Sequence, residues 1–219
     1  MRQLNQTQMG NKSTFFFAFV FIFFFVTPST SPGLTLKPAL NWGFCAPQIS
    51  PENRGVDVSK QTALLGGLLF ELPLFPFVNL DSGALLHPYG QSLKDTSTQV
   101  TSETKWKQLL IPVGLRLRLI PFFNLGLGGY YGVATSSQAD QSVSVPGLAT
   151  ATSEVALASE QKSDYGLYSS VSVEFSIFPS AAIFVDGRYL LGLKNQSASE
   201  GSSLKFNHFQ FLSGLSVEW

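Results

Sequence analysis

The sequence predicts an all-β protein, an eight-stranded antiparallel up-and-down transmembrane β-barrel that follows a cleavable signal peptide. Three observations lead to this fold class. Charged residues make up 13% of the chain, against roughly 25% in soluble domains, and phenylalanine alone contributes 20 residues. Eight segments alternate apolar and polar residues, as strands with two unlike faces do. The connections between these segments alternate between short and long, as they do in membrane barrels.

The first element is the leader, residues 1–31, which is predicted to be a signal peptide. Arg2 and Lys12 precede an apolar run at 15–26, and small residues follow at 27–31. The run has 12 residues, fewer than the roughly 20 that a transmembrane helix needs, so cleavage is favoured over a retained anchor. We therefore expect an exported chain in which residues 32–219 form a single barrel domain.

The barrel strands follow from period-2 alternation. They are predicted at 35–45, 61–72, 77–89, 105–119, 122–133, 164–177, 181–194 and 205–219. In the last strand Phe209, Phe211 and Leu215 share one face, whereas His208 and Gln210 share the other. Such strands suit a wall between lipid and a polar interior.

The connections predict which strand ends lie on the same side of the membrane. Short turns with proline are expected at 73–76, 120–121 and 179–180, because proline suits a turn and cannot donate to a strand ladder. Long polar loops are expected at 46–60, 90–104, 134–163 and 195–204. With an even number of strands, both ends of the barrel domain lie on the short-turn side, which we expect to face the periplasm.

Nine charged residues fall within the bodies of the predicted strands, and all nine lie on the polar faces. These nine residues are Lys37, Glu71, Asp81, Arg116, Arg118, Glu174, Asp186, Arg188 and Glu218. A Lys or Arg on the lipid face at mid-bilayer costs about 2–4 kcal/mol, so a membrane barrel turns such groups inward. Because four are basic and five are acidic, we predict an ionic network that lines and closes the interior.

Aromatic residues near the strand ends predict two belts at the membrane interfaces. The predicted interface residues are Trp42, Phe70, Phe77, Trp106, Phe123, Tyr131, Tyr165, Phe178 and Trp219. The core of a soluble β-sandwich would explain the alternation equally well, but it explains two separated belts less well.

Several segments of the chain carry recognisable motifs: GLTLKPALNWG at 33–43, LLIPVGL at 109–115, FNLGLGGY at 123–130, DGRYLLGL at 186–193 and the aromatic ending 211–219. In these segments, taken in their order, the chain resembles the PorT-like family of small eight-stranded outer-membrane β-barrels. The resemblance implies the fold and a location in the bacterial outer membrane. It also implies that the last strand is a signal for the outer-membrane assembly machinery.

No catalytic residue, metal site or cofactor is predicted. His87 and His208 lack ligand spacing, and a role as polar lining or at the rim is favoured for both. His208 and Ser213 fall on opposite faces of one strand, which argues against a catalytic triad. Lys plus Arg and Asp plus Glu number 14 each, so a nucleic-acid partner is not expected.

Three classes of function remain open at this point. The favoured class is a monomeric barrel of structural or interaction type, whose partners are outer-membrane lipid, the assembly machinery and an extracellular ligand or surface partner of its loops. The second is a narrow channel or small-ligand transporter, which requires a hydrated interior. The third is a soluble, lipocalin-like binding barrel, which carries its apolar face inward.

Overall fold

The computed structural model describes residues 33–50, 56–59, 61–95, 97–120, 122–197 and 203–218. The predicted signal peptide and Trp219 lie outside these residues. The strands in chain order are β1 (Thr35–Ser50), β2 (Val56–Ser59), β3 (Gln61–Phe75), β4 (Val78–Asp95), β5 (Thr101–Ile120), β6 (Phe123–Ala134), β7 (Gln138–Ser144), β8 (Ala151–Ala156), β9 (Ser163–Phe178), β10 (Ala181–Gly192) and β11 (Ser203–Glu218). A 3₁₀ helix at Ser159–Lys162 precedes β9.

Eight of these strands close into a ring of antiparallel pairs. The ring runs β1, β3, β4, β5, β6, β9, β10 and β11, and β11 pairs back to β1. Each ring strand pairs with the ring strands before and after it in the chain, which is the up-and-down arrangement. The fold class is therefore confirmed, and each of the eight predicted strands corresponds to one strand of the ring.

Three short strands extend the wall beyond the ring on the long-loop side. The C-terminal end of β4 pairs with β2, the N-terminal end of β5 pairs with β7, and β7 pairs with β8. We call β2, β7, β8 and these parts of β4 and β5 the extension sheet. The sequence predicted a polar loop over 134–163. Its Ser- and Ala-rich segments show little apolar alternation, and β7 is held by its pairing with β5.

Two of the short turns can be compared with their predicted positions. The turn between β3 and β4 lies at 76–77, not at 73–76, because β3 continues to Phe75 with an irregular register between Pro73 and Phe75. The turn between β9 and β10 lies at 179–180, as predicted. Pro121 lies outside the described residues.

The two faces of the wall have opposite polarity. Large apolar side chains point away from the barrel, with Leu64 65% exposed and Leu127 66% exposed, whereas Glu71 and Asp81 are completely buried inside. A lipocalin-like barrel carries its apolar face inward, so the soluble alternative does not fit this distribution. Among the described residues, no helix has the length and apolar character to span a membrane.

Candidate functional site

Six charged side chains meet inside the ring, and we call them the ionic cluster. They are contributed by five strands and none is more than 1% exposed: Lys37 from β1, Glu71 from β3, Asp81 from β4, Arg116 from β5, and Asp186 and Arg188 from β10. Strand alternation accounts for this placement, because each residue occupies an inward position of its strand. The cluster contains three bases and three acids, so its formal charges balance.

Arg116 is the most connected residue of the ionic cluster. Its Nη2 lies 2.6 Å from Asp186 Oδ2 and 3.4 Å from Asp81 Oδ2, and its Nε lies 3.1 Å from Glu71 Oε1. Its Nη1 donates a hydrogen bond of 2.5 Å to Ser172 Oγ. One guanidinium therefore ties β5 to β3, β4, β9 and β10 across the interior, which suits the forked geometry of arginine.

Arg188 and Lys37 complete the ion pairs on either side of Arg116. Arg188 Nη2 lies 3.1 Å from Asp81 Oδ2 and 3.0 Å from Asp186 Oδ2. Lys37 Nζ lies 2.5 Å from Glu71 Oε1. Every acid in the cluster thus faces two bases, which is the arrangement that buried charges require.

Neutral polar groups hold the acids of the ionic cluster in place. Asn79 donates to Glu71 at 2.9 Å, and the Tyr168 hydroxyl donates to Asp81 at 3.1 Å. Gly114 makes room for the Tyr168 ring, since a Cβ at that position would meet the Tyr168 hydroxyl at 2.5 Å. The glycine-rich strands therefore allow large polar side chains to fill a narrow barrel.

The remaining three residues of the predicted network lie towards the short-turn end. Glu174 is 15% exposed and contacts Lys37 at 3.0 Å. Arg118 is 45% exposed and lies 3.7 Å from Glu71. Glu218 is exposed at the end of β11 and is not brought into the ionic cluster, because its position at the rim leaves its side chain to solvent. All three line a small polar pocket at this mouth.

A second buried cluster lies nearer the long-loop end, and we call it the histidine–tyrosine cluster (His87, Tyr89, Tyr130, Asp164 and His208). His87 Nε2 lies 3.1 Å from His208 Nδ1, and His208 Nε2 lies 3.5 Å from Asp164 Oδ2. The hydroxyls of Tyr89 and Tyr130 donate to the same carboxylate oxygen at 2.7 and 3.1 Å. The cluster fills the interior with mutually hydrogen-bonded side chains.

The orientation of the neighbouring Gln210 amide indicates one arrangement of protons in this cluster. The Nε2 amide group of Gln210 lies 3.0 Å from His87 Nδ1 and can only donate, so His87 Nδ1 accepts. His87 then carries its proton on Nε2 and donates to His208 Nδ1, which leaves the His208 proton on Nε2 towards Asp164. This arrangement keeps both imidazoles neutral, and His208 Nε2, 3.5 Å from the Asp164 carboxylate, makes no hydrogen bond within the described residues. The sequence predicted a polar-lining or rim role for both histidines but did not bring them together.

Trp106 corrects the predicted interface belt. It is 5% exposed and lies inside the barrel, with its ring centroid 5.9 Å from that of Tyr89 and 5.8 Å from that of Phe206. The reason is strand alternation: Arg116 faces inward, and Trp106 lies ten residues earlier on the same face of β5.

The other described belt residues point outward. Towards the loop side, Trp42, Tyr131 and Tyr165 are between 41% and 50% exposed. Towards the turn side, Phe77 and Phe178 are 69% and 67% exposed, and Phe70 and Phe123 are partly buried on the outer face. Trp219 lies outside the described residues, so its place in the belt stays a prediction.

The sequence-based expectations of no catalytic residue and no metal site can be compared with the described residues. Within them, no group of three or more His, Cys, Asp or Glu side chains could hold a metal ion. Ser213 points outward from β11, whereas His208 is buried inside. The chemistry that these interior side chains support is charge pairing and hydrogen bonding across the barrel.

Comparison with known proteins gives the following matches. A family model described as an outer membrane protein beta-barrel domain matches residues 30–198. The chain is similar to the crystal structure of the outer membrane protein OprG from Pseudomonas aeruginosa, with 14% identity, coverage of 86% of this chain and 97% of that chain, and a TM-score of 0.55. It is also similar to the outer membrane protein AlkL, solved by solid-state NMR in DMPC lipid bilayers, with 12% identity, coverage of 99% and 97%, and a TM-score of 0.52. No curated protein matches. At these identities the two structures are informative about the fold.

Proposed function

Because the chain belongs to the outer membrane protein β-barrel domain family and is located in the bacterial outer membrane, we propose that it is an integral barrel of structural and interaction type, with a closed interior and no catalytic activity. Its long loops and the extension sheet face outside the cell, and its short turns face the periplasm. Within the family, a place in the PorT-like group stays a prediction from the motifs at 33–43, 109–115, 123–130 and 186–193.

The ionic cluster supports the closed interior. Arg116 reaches acids on β3, β4 and β10 at 2.6–3.4 Å, so one side chain crosses the barrel in several directions. A ring of eight strands leaves an interior just wide enough for side chains to fill. The histidine–tyrosine cluster and the rings of Trp106 and Phe206 fill a second level. Two successive polar layers then obstruct the path of a hydrated ion.

Planar lipid bilayers provide the test of this function. The full-length mature protein, refolded and inserted, is expected to give no unitary current steps at any applied voltage that the bilayer tolerates. A large porin reconstituted by the same procedure is the control for insertion and recording. Reproducible steps from the parent protein would contradict a closed interior and support a channel.

A narrow channel is the second candidate, and unpaired polar atoms favour it. Arg188 Nη1, Asp81 Oδ1 and Asp186 Oδ1 are buried without a hydrogen-bond partner among the described residues. Buried polar atoms of this kind usually bind water, and connected waters would let ions pass. In that case the parent would conduct, and Asp186→Asn would change its preference between cations and anions.

A further inference from the structure

The extension sheet ends in a strand that has no partner on one side within the described residues. In the strand order, β8 follows β7 and is the last strand of the sheet. Its residues are mostly exposed, and just beyond it the Leu157 N–H donates to Ser137 O on the β7 side at 2.9 Å. In an antiparallel pair such bonds alternate along the strand. The backbone groups of Thr152, Glu154 and Ala156 therefore point to the free edge.

The free edge is carried by a well-anchored hairpin. Ala139 at the start of β7 and Leu157 just after β8 are 3% and 5% exposed and belong to the buried hydrophobic cluster of the protein. Gln108 Nε2 on β5 donates to Gln161 O at 3.1 Å and fixes the segment that follows. A pre-organised edge loses little conformational entropy when another strand joins it.

Charges along the sheet define what kind of strand fits. Lys105, Asp140 and Glu154 occupy successive paired positions on β5, β7 and β8, on the outer face of the extension sheet. Asp140 and Glu154 are like charges placed opposite each other, which is unfavourable. A basic residue on an added strand, opposite Glu154, would offset that repulsion and place one positive charge on each side of the two carboxylates.

We propose that the β8 edge binds an extended basic segment of an extracellular partner protein, which adds a strand to the extension sheet. This inference rests on the proposed function, because it requires the extension sheet to face outside. Backbone hydrogen bonds at Thr152, Glu154 and Ala156 supply the affinity, and the pairing of a lysine or arginine with Glu154 supplies the preference. The small side chains of Ala151 and Ser153 leave the edge accessible.

The test uses the refolded full-length mature protein in lipid nanodiscs and two short fluorescein-labelled peptides of alternating Thr and Val. One peptide has a central lysine and the other a central glutamate, and binding is followed by fluorescence anisotropy. We expect the lysine peptide to bind the parent about tenfold more tightly than the glutamate peptide, as expected from cross-strand charge pairing. Glu154→Lys should reverse this order.

Glu154→Pro removes one edge-facing N–H while leaving the β7 side of the strand intact, a position at which edge strands tolerate proline. It should abolish binding of both peptides, whereas Leu148→Ser, at the exposed hairpin tip, should bind like the parent. Circular dichroism verifies that each variant is folded.

The proposal is overturned if the parent binds neither peptide, or if Glu154→Pro binds as the parent does. It is also overturned if the parent forms a dimer that Glu154→Pro disrupts, since the edge would then pair with a second copy. Current steps in bilayers would refute the closed interior and leave these binding results interpretable.

Discussion

Replacing Arg116 by alanine tests the ionic cluster at its most connected residue. The change removes the contacts to Asp186 at 2.6 Å, Glu71 at 3.1 Å and Asp81 at 3.4 Å, together with the hydrogen bond to Ser172. Three buried acids then face two bases, and the cluster acquires a net negative charge. Breaking a buried ion pair by removing one partner costs about 3–5 kcal/mol. Water that enters the space left by the arginine side chain would lower this cost.

Arg118→Ala is the matched control for this prediction. Arg118 lies on the same strand and the same face, but it is 45% exposed and contacts Glu71 at 3.7 Å. Exposed pairs of this kind contribute about 0–1 kcal/mol, so the variant should unfold almost like the parent. Adding Asp186→Asn to Arg116→Ala restores the balance of charges and should recover part of the lost stability.

The assay is a urea titration of the refolded proteins in lipid vesicles, followed by tryptophan fluorescence. We expect the transition of Arg116→Ala to move to clearly lower urea with a similar slope, and the transition of Arg118→Ala to stay close to that of the parent. Equal transitions for Arg116→Ala and Arg118→Ala would refute the reasoning. The contacts of Arg116 would then contribute no more than a surface pair does.

Three further predictions concern the lipid face, the orientation and the assembly of the barrel. Leu127→Arg, at an outward position of β6 that is 66% exposed, should cost about 2–4 kcal/mol in the same titration if it lies near mid-bilayer, whereas Leu148→Arg on the hairpin tip should be nearly neutral. Protease added to intact cells should cut within 145–150, and cleavage that occurs only after permeabilisation would reverse the orientation. Deleting Trp219 should slow insertion into the outer membrane, and a normal yield of the truncated protein there would refute the role of the terminal aromatic residue.

Most of what could be predicted from the sequence came from the alternation of apolar and polar residues along the strands. A strand that separates lipid from a polar interior must repeat every two residues, so the inward phase of each ring strand could be read from charges such as Lys37, Arg116 and Asp186. The same rule, applied along β5 from Arg116, would have placed Trp106 inside. Its aromatic character at a strand end suggested the interface instead.

Other features depend on information that local sequence does not hold. His87 and His208 are 121 residues apart and meet because the ring closes between β1 and β11, which sets their heights across the interior. Strands β7 and β8 show little apolar alternation because β8 is largely exposed and most of β7 is only partly buried. Their pairing depends on the length by which β5 extends beyond the ring. The register of the strand pairs and the closure of the ring thus determine these features, and the residue pattern of a single strand contains neither.

Single-channel recording tests the closed interior most directly, on the parent and on variants that open one or both levels of side chains inside the barrel. The parent should give no current steps, and Arg116→Ala should also remain silent because the histidine–tyrosine cluster still fills the second level. Arg116→Ala combined with Tyr89→Ala, which opens both levels, should conduct small steps if it folds. Regular steps from the parent would contradict the account. A folded double variant without current would show that these two clusters are not what closes the barrel.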